Sequence, residues 1–266
     1  VPTKFSELDA LTAGLQPGDL IIATGRPSMG KTAFALNIMD NAASAGAPGL
    51  FFSLEMSKEA LVERLVAAEG NVDSMQMRSG RMSQSTWIGI GKAFTALSDR
   101  PIWIDDQAGY TVTEIRSQAR RWRLHHAKDG PALIVVDYVQ IVAADSRGET
   151  RDREVAEISA GLKAMAKDLR CPVLALSQLN RSCEARADKR PMMSDLRDSG
   201  SIEQDADVIA FLYRDEVYSK DQCRPEDRGV AEVIVAKQRN GPTATLKLKW
   251  TAESSRFANL SHRSER

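Results

Sequence analysis

Short apolar runs alternate with amphipathic stretches along most of the chain. Residues 19–24 read as a short buried strand, and residues 32–45 as the helix after it. A second strand over 50–54 ends at Glu55, and helices follow over 58–68 and 84–97. Residues 101–104 form a third strand. Thr111 and Glu114 have the spacing of a capping box and open a helix to about Ala127. Residues 132–137 are apolar almost without interruption, as expected of a central parallel strand covered on both faces. Val155, Ile158, Leu162, Met165 and Leu169, three and four apart, define the buried stripe of another helix, and residues 172–177 the next strand. From Val208 the pattern changes to strands over 208–213, 230–236 and 245–250, with Asn240-Gly241 as a hairpin signal between the last two. The expectation is an α/β fold: a central, mostly parallel sheet flanked by helices, with antiparallel strands near the C-terminus.

Three stretches fall outside this pattern. Residues 5–15 alternate apolar and polar positions up to Gly14, after which Gln16-Pro17-Gly18 turns into the first strand. Residues 145–153 are charged, lack hydrophobic anchors and read as a mobile loop. Residues 180–201 are polar, rich in Arg and Asp, and too long for a plain connection, which marks them as functional or disordered. No repeat or linker interrupts the chain, so residues 1–266 read as one domain.

Composition adds limits. A length of 266 residues suffices for a large α/β domain with a full core. Hydrophobic and charged contents of 42% and 27% are ordinary for a soluble protein. No apolar run approaches a membrane span and the start resembles no signal peptide, so no membrane partner is expected, and the cysteine usage below makes the cytoplasm the expected compartment. With 36 basic and 36 acidic residues the net charge is zero, so any nucleic-acid surface has to be a local concentration of cations. Cys171, Cys183 and Cys223 lack CxxC spacing, which argues against disulfides and against a metal site. His125-His126 lies in a basic helix and reads as a solvated face. The chain opens at Val1-Pro2 without an initiator Met, as a piece of a longer protein with an upstream domain would.

Gly25-Arg26-Pro27-Ser28-Met29-Gly30-Lys31-Thr32 fits G-x-x-x-x-G-K-[ST], between a strand end and a helix start. There, backbone N–H groups and the positive end of the helix dipole hold a polyphosphate. Gly30 lets the backbone approach the phosphates, Lys31 reaches the β- and γ-phosphates, and the Thr32 hydroxyl ligates Mg²⁺. The expected ligands are therefore ATP and Mg²⁺.

Further acids and cations sit at strand ends. Asp137 has the position of a metal-holding acid, directly or through water, and equally that of a turn residue. Glu55, one strand end away, is either the base that orients the attacking water or a favourable acid near a helix start. Strand C-termini converge on one crevice in such sheets, which makes the two acids potential neighbours. Gln178 ends another strand and leads into the polar stretch, a position from which a γ-phosphate is sensed. Lys237 and Arg239 share one face of a strand by its period of two. Two cations aimed together suit developing phosphate charge, and they equally suit a charged edge strand.

Together with the P-loop, Phe52-Ser53-Leu54-Glu55-Met56, Val136-Asp137-Tyr138, Leu176-Ser177-Gln178-Leu179-Asn180-Arg181, the segment from Asp195-Leu196-Arg197-Asp198-Ser199-Gly200 to Asp207, and Lys237-Gln238-Arg239-Asn240-Gly241-Pro242 occur in one order. That series resembles the C-terminal motor domain of the DnaB family of bacterial replicative helicases, over essentially the whole chain. The resemblance implies a RecA-like P-loop NTPase core and a ring homohexamer. It implies ATP-driven 5′→3′ translocation on single-stranded DNA and separation of forked duplex DNA. It also implies that Lys237 and Arg239 reach a neighbour's ATP site, that Arg64 contacts nucleotide phosphates, and that Arg197, Asp198 and Gly200 hold DNA in the central channel. Phosphate contacts of that kind are independent of sequence and sensitive to salt. Primase, a helicase loader and the polymerase clamp loader are implied partners. Asp198 stands where many members of the family carry Glu, a modest departure if the backbone makes the contact. The family's N-terminal collar has no counterpart in this sequence, which puts primase response and processive unwinding in doubt for this chain. Two other readings stay open: a RecA-like ATPase of another class, such as a recombinase, and a non-catalytic, nucleotide-gated DNA-binding module.

Overall fold

The computed structural model describes residues 1–128, 130–143 and 151–260, with backbone only for Arg151, Ser182 and 197–199. The chain runs α1 (Ser6–Thr12), β1 (Leu20–Gly25), α2 (Lys31–Ser44), β2 (Gly49–Ser53), α3 (Lys58–Gly70), α4 (Ser74–Ser79), α5 (Gln84–Ser98), β3 (Ile102–Asp105), α6 (Val112–His126), β4 (Leu133–Asp137), α7 (Arg151–Leu169) and β5 (Val173–Gln178). It continues through α8 (Gly200–Asp205), β6 (Val208–Tyr213), α9 (Asp215–Ser219), β7 (Val230–Gln238), β8 (Ala244–Thr251) and β9 (Arg256–Asn259). All nine strands form one sheet in the order β3-β2-β4-β5-β1-β6-β7-β8-β9. Pairings from β3 to β6 are parallel and those from β6 to β9 antiparallel.

The alternation of side chains along a strand sorts the apolar residues into two cores. Ile21, Phe51, Val135 and Leu174 face α1 and α2. Ile22, Phe52, Ile134 and Val173 face α6, α7 and α8. An α2 that is apolar on most sides follows from its place between the sheet, α1 and β9: Phe34 stacks on Phe5 with centroids 5.6 Å apart and meets the Phe257 edge at 5.4 Å. A third, smaller cluster, including Val66, Val72 and Ile90, joins α3 to α5. The expected capping box is formed: Thr111 Oγ1 accepts from Glu114 N at 3.3 Å, and Glu114 Oε2 accepts from Thr111 N at 2.8 Å.

The structure departs from the sequence reading in four places. The alternating stretch at 5–15 contains the helix α1, because Phe5 and Leu8 anchor it to the core. Residues 145–150 of the expected mobile loop lie outside the described residues, whereas 151–153 already belong to α7. The polar stretch at 180–201 carries two 3₁₀ turns, Arg181–Ala185 and Met193–Ser199. Charge pairs tie it down: Arg186 makes two bonds to Asp195, at 2.7 and 2.8 Å, and Arg190 two to Glu232 of β7, at 2.7 and 2.8 Å. Finally, α4, α8, α9 and β9 were not anticipated. The three cysteines are free and buried, and no helix among the described residues is long and apolar enough to cross a membrane.

Candidate nucleotide site

The loop after β1 takes its shape from two glycines. Gly30 has φ +92°, and a Cβ there would stand 3.2 Å from the Phe257 ring. A Cβ on Gly25 would stand 2.9 Å from the Leu212 carbonyl oxygen of β6, so only glycine fits where the loop leaves the sheet. Gly30 precedes α2, whose first residues are Lys31 and Thr32, so the positive end of a 14-residue helix faces the loop. Lys31 Nζ donates to the Gly25 carbonyl at 2.9 Å. Burial pushes its ammonium below the usual lysine range, against the pull of Asp137 and Glu55.

The sheet brings the strand-end residues to this loop. Ser53 pairs with Asp137 across β2 and β4, and Leu54 N donates to the Asp137 carbonyl at 2.8 Å, which sets Glu55 beside Asp137. Gly25 pairs with Gln178 across β1 and β5. Thr32 Oγ1 donates to Asp137 Oδ2 at 2.7 Å. Asp137 is only 2% exposed, and burial pushes its carboxyl above the usual range, against the Thr32 hydrogen bond. The result is an open cleft of about 1000 Å³ that gathers Lys31, Thr32, Glu55, Arg64, Asp137 and Gln178. Burial also lowers the Arg64 pKa. Pro27, Ser28 and Gly30 complete its floor.

Other predicted residues point elsewhere. Arg26 leaves the cleft, donating to Glu184 and to the Leu179 carbonyl at 2.8 Å each, and Met29 is buried in the core. In this loop, then, those two contribute backbone. Lys237 Nζ donates to the Ala206 carbonyl at 2.7 Å, and Arg239 Nη2 to the Gln204 carbonyl at 2.6 Å. Both cations therefore hold the carboxyl end of α8, away from this chain's own cleft. Gly200 opens α8, and the backbone of Arg197 and Asp198 lies in the 3₁₀ turn just before it; their side chains lie outside the described atoms.

The family model for the DnaB-like helicase C terminal domain matches residues 1–259. The chain belongs to that family. It is 49% identical over 265 residues to the replicative DNA helicase DnaB of Geobacillus stearothermophilus, covering 99% of this chain and 57% of that protein. It is 52% identical over 263 residues to DnaB of Pasteurella multocida, covering 98% and 55%. The chain thus spans a little over half the length of these relatives. Among solved structures, an ATPase domain superposes with a TM-score of 0.93 at 38% identity, covering 98% of this chain and 91% of that one. A DnaB-like replicative helicase studied for its interactions with primase gives 0.94 at 38% identity, covering 98% and 62%. The RecA-like fold read from the sequence is thereby established.

In this DnaB-like domain the sequence reading missed one wall of the cleft. Arg214, Trp250 and Ser255 line it together with Met56 and Tyr138. The Arg214 guanidinium lies 4.5 Å from the Trp250 ring centroid and donates to the Ser28 carbonyl at 3.0 Å. No motif announces Arg214, Trp250 or Ser255, because they follow or belong to β6 and β8, toward the antiparallel end of the sheet. Only strand pairing from β6 through β8 brings them to the P-loop.

Proposed function

We propose that residues 1–266 act as one domain, the ATP-driven motor of a replicative DNA helicase. The observation that carries this reading is the Thr32–Asp137 bond in a cleft that also holds Lys31 and Glu55. The P-loop amides, the α2 amino terminus and Lys31 hold the β- and γ-phosphates of ATP. The donor set suits Mg²⁺: a hydroxyl and a carboxylate are hard oxygen ligands, and that ion takes one or two carboxylates and completes its shell with phosphate and water. Thr32 and Asp137 would hold it, and an ion there would offset the cost of burying the Asp137 charge. Bound Mg²⁺ neutralises charge that develops on the phosphates. Glu55 orients the attacking water. Arg64 and Gln178 contact or sense the γ-phosphate side, and the Arg214–Trp250 wall flanks the remainder of the nucleotide.

In a ring homohexamer Lys237 and Arg239 serve a neighbour's ATP, and Arg197, Asp198 and Gly200 hold single-stranded DNA by its backbone. Translocation runs 5′→3′ and opens forked duplex DNA. Primase, a loader and the clamp loader are the partners this reading assigns, and the cytoplasm the compartment. Support comes from the family and from the separation of the two finger cations from their own cleft. The test is Lys31→Ala, which removes the cation on the phosphates. ATP binding or turnover, and with it unwinding of a forked duplex, should be abolished; wild-type turnover in that variant would sink the P-loop assignment. Strand exchange in place of unwinding would point to a recombinase-type ATPase.

A further inference from the structure

Strand pairing holds β5 unequally along its two sides. Against β1 it runs to the end, with Thr24 opposite Ser177 and Gly25 opposite Gln178. Against β4 it stops earlier, at Val136 opposite Ala175, because the chain leaves the sheet after Asp137 for the 3₁₀ turn Val139–Ile141. Among the described residues, the last two of β5 therefore have no strand neighbour on the β4 side, and their backbone groups need other partners. The Gln140 side chain takes that place. Its Oε1 accepts from Gln178 N at 3.2 Å, and its Nε2 donates to the Gln178 carbonyl at 3.2 Å and to Ser177 Oγ at 2.8 Å. A carboxamide presents a donor and an acceptor side by side, as a strand backbone does. The N–H and C=O of Gln178 also fix which end of the Gln140 carboxamide faces which.

Ser177 is fully buried, whereas Gln178 is exposed and faces the cleft, so packing does not fix Gln178. Hydrogen bonds hold it on both flanks instead. On the β1 side the P-loop takes over at the next residue: Leu179 N donates to the Gly25 carbonyl at 3.4 Å, and Arg26 donates to the Leu179 carbonyl at 2.8 Å. On the β4 side Gln140 ties the end of β5 to the segment that carries Asp137. Gln140 itself is not among the described residues that line the cleft. We infer that Gln140 is a positioning residue for ATP hydrolysis. It holds the Gln178 backbone in register, so that the Gln178 carboxamide keeps its place at the γ-phosphate. The inference rests on the motor reading, in which Gln178 contacts or senses that phosphate.

The test compares Gln140→Met, close in shape but without either bond to the Gln178 backbone, with Gln178→Ala and with the double variant. Gln140→Met should lower the saturating turnover of ATP by about a hundredfold, the scale of misplacing a group by about 1 Å, with KM and ADP affinity little changed. Because Gln140 acts through Gln178, the double variant should be no slower than Gln178→Ala alone. Amide hydrogen exchange adds a readout that needs no turnover. In the unaltered chain the Gln178 N–H should be protected although the residue is exposed, and in Gln140→Met it should exchange about tenfold faster or more. The measurement on the unaltered chain decides even if the variant does not fold: a Gln178 N–H that exchanges as a free amide overturns the inference. So does exchange that is the same in Gln140→Met. Losses that add in the double variant, or a fall in ADP affinity parallel to turnover, would make the role of Gln140 merely structural and overturn it too. Full turnover in Gln140→Met beside slow turnover in Gln178→Ala refutes the positioning role and leaves the motor reading standing. Full turnover in Gln178→Ala instead removes Gln178 from the reaction, a failure of that reading which takes the inference with it.

Discussion

Glu55 stands at the mouth of the cleft because the backbone on one side of it is fixed to β4 and that on the other to α3: Leu54 N bonds the Asp137 carbonyl, and Ser57 caps α3 by accepting from Ala60 N at 3.4 Å. Its side chain is exposed, and neither Lys31 nor the Thr32–Asp137 pair depends on it for position. Glu55→Gln should therefore bind ATP almost as the parent does while hydrolysis falls severely. Equilibrium binding beside single-turnover hydrolysis checks this, and loss of binding would make the role of Glu55 structural. A second residue gives a pH test remote from the chemistry. The Tyr110 hydroxyl donates to Asp105 Oδ2 at 2.9 Å, and its ring meets Phe52 edge-on at 5.9 Å. Burial first, then the Asp105 bond, pushes its pKa from 10.0 up to about 12. An acid whose folded pKa is raised holds its proton longer in the native state than in the unfolded chain. Stability from this group is thus intact below pH 10 and falls as pH rises toward about 12. Tyr110→Phe should flatten that part of the profile of urea midpoint against pH; an unchanged slope would contradict the assignment.

At the scale of elements, the turn Met193–Ser199 and α8 are continuous, and the carboxyl end of α8 is held by Lys237 and Arg239. If Arg197 contacts a phosphate in the channel, Arg197→Ala should weaken oligo-dT binding with little base preference and lower the salt slope by about one unit or less. Basal ATP turnover should largely persist, and an unaltered salt dependence would remove Arg197 from the channel. The sequence made β1, β4 and β5 legible because parallel strands covered on both faces are apolar throughout, and made α6 and α7 legible through caps and period. The P-loop, Asp137 and Glu55 were readable as strand-end chemistry. Arg214 and Trp250 were not, since nothing local links β6 and β8 to Gly30. The order within the polar stretch at 180–201 was illegible for a related reason. Its order rests on the Arg186–Asp195 and Arg190–Glu232 pairs, and the second of these spans 42 positions of sequence. Period and propensity carry no signal for contacts of that kind.

For the whole molecule the open choice concerns Arg239. It is either a cap on the carbonyls of α8 within its own chain or a finger for the ATP of the next. Both uses draw on the same guanidinium, but they predict different outcomes. A cap alone makes Arg239→Ala a stability change, visible in Tm, with ATP turnover lost only as far as the fold is lost. A finger leaves Tm and ATP binding nearly intact and cuts turnover by roughly a thousandfold or more, the scale of losing such a residue. The decisive experiment mixes two inactive proteins. Rings built only from Arg239→Ala have no finger at any site, and rings built only from Glu55→Gln have fingers but no group to orient water. In a mixed ring, a cleft with Glu55 from one chain and Arg239 from the next is complete. ATPase activity should return in the mixture, peak near equal amounts, and vanish on dilution below the assembly range. If the chains demonstrably exchange subunits and no mixture recovers turnover, either Arg239 does not serve its neighbour and is left its contacts with the Gln204 carbonyl and Asp207, or the ring tolerates no defective site.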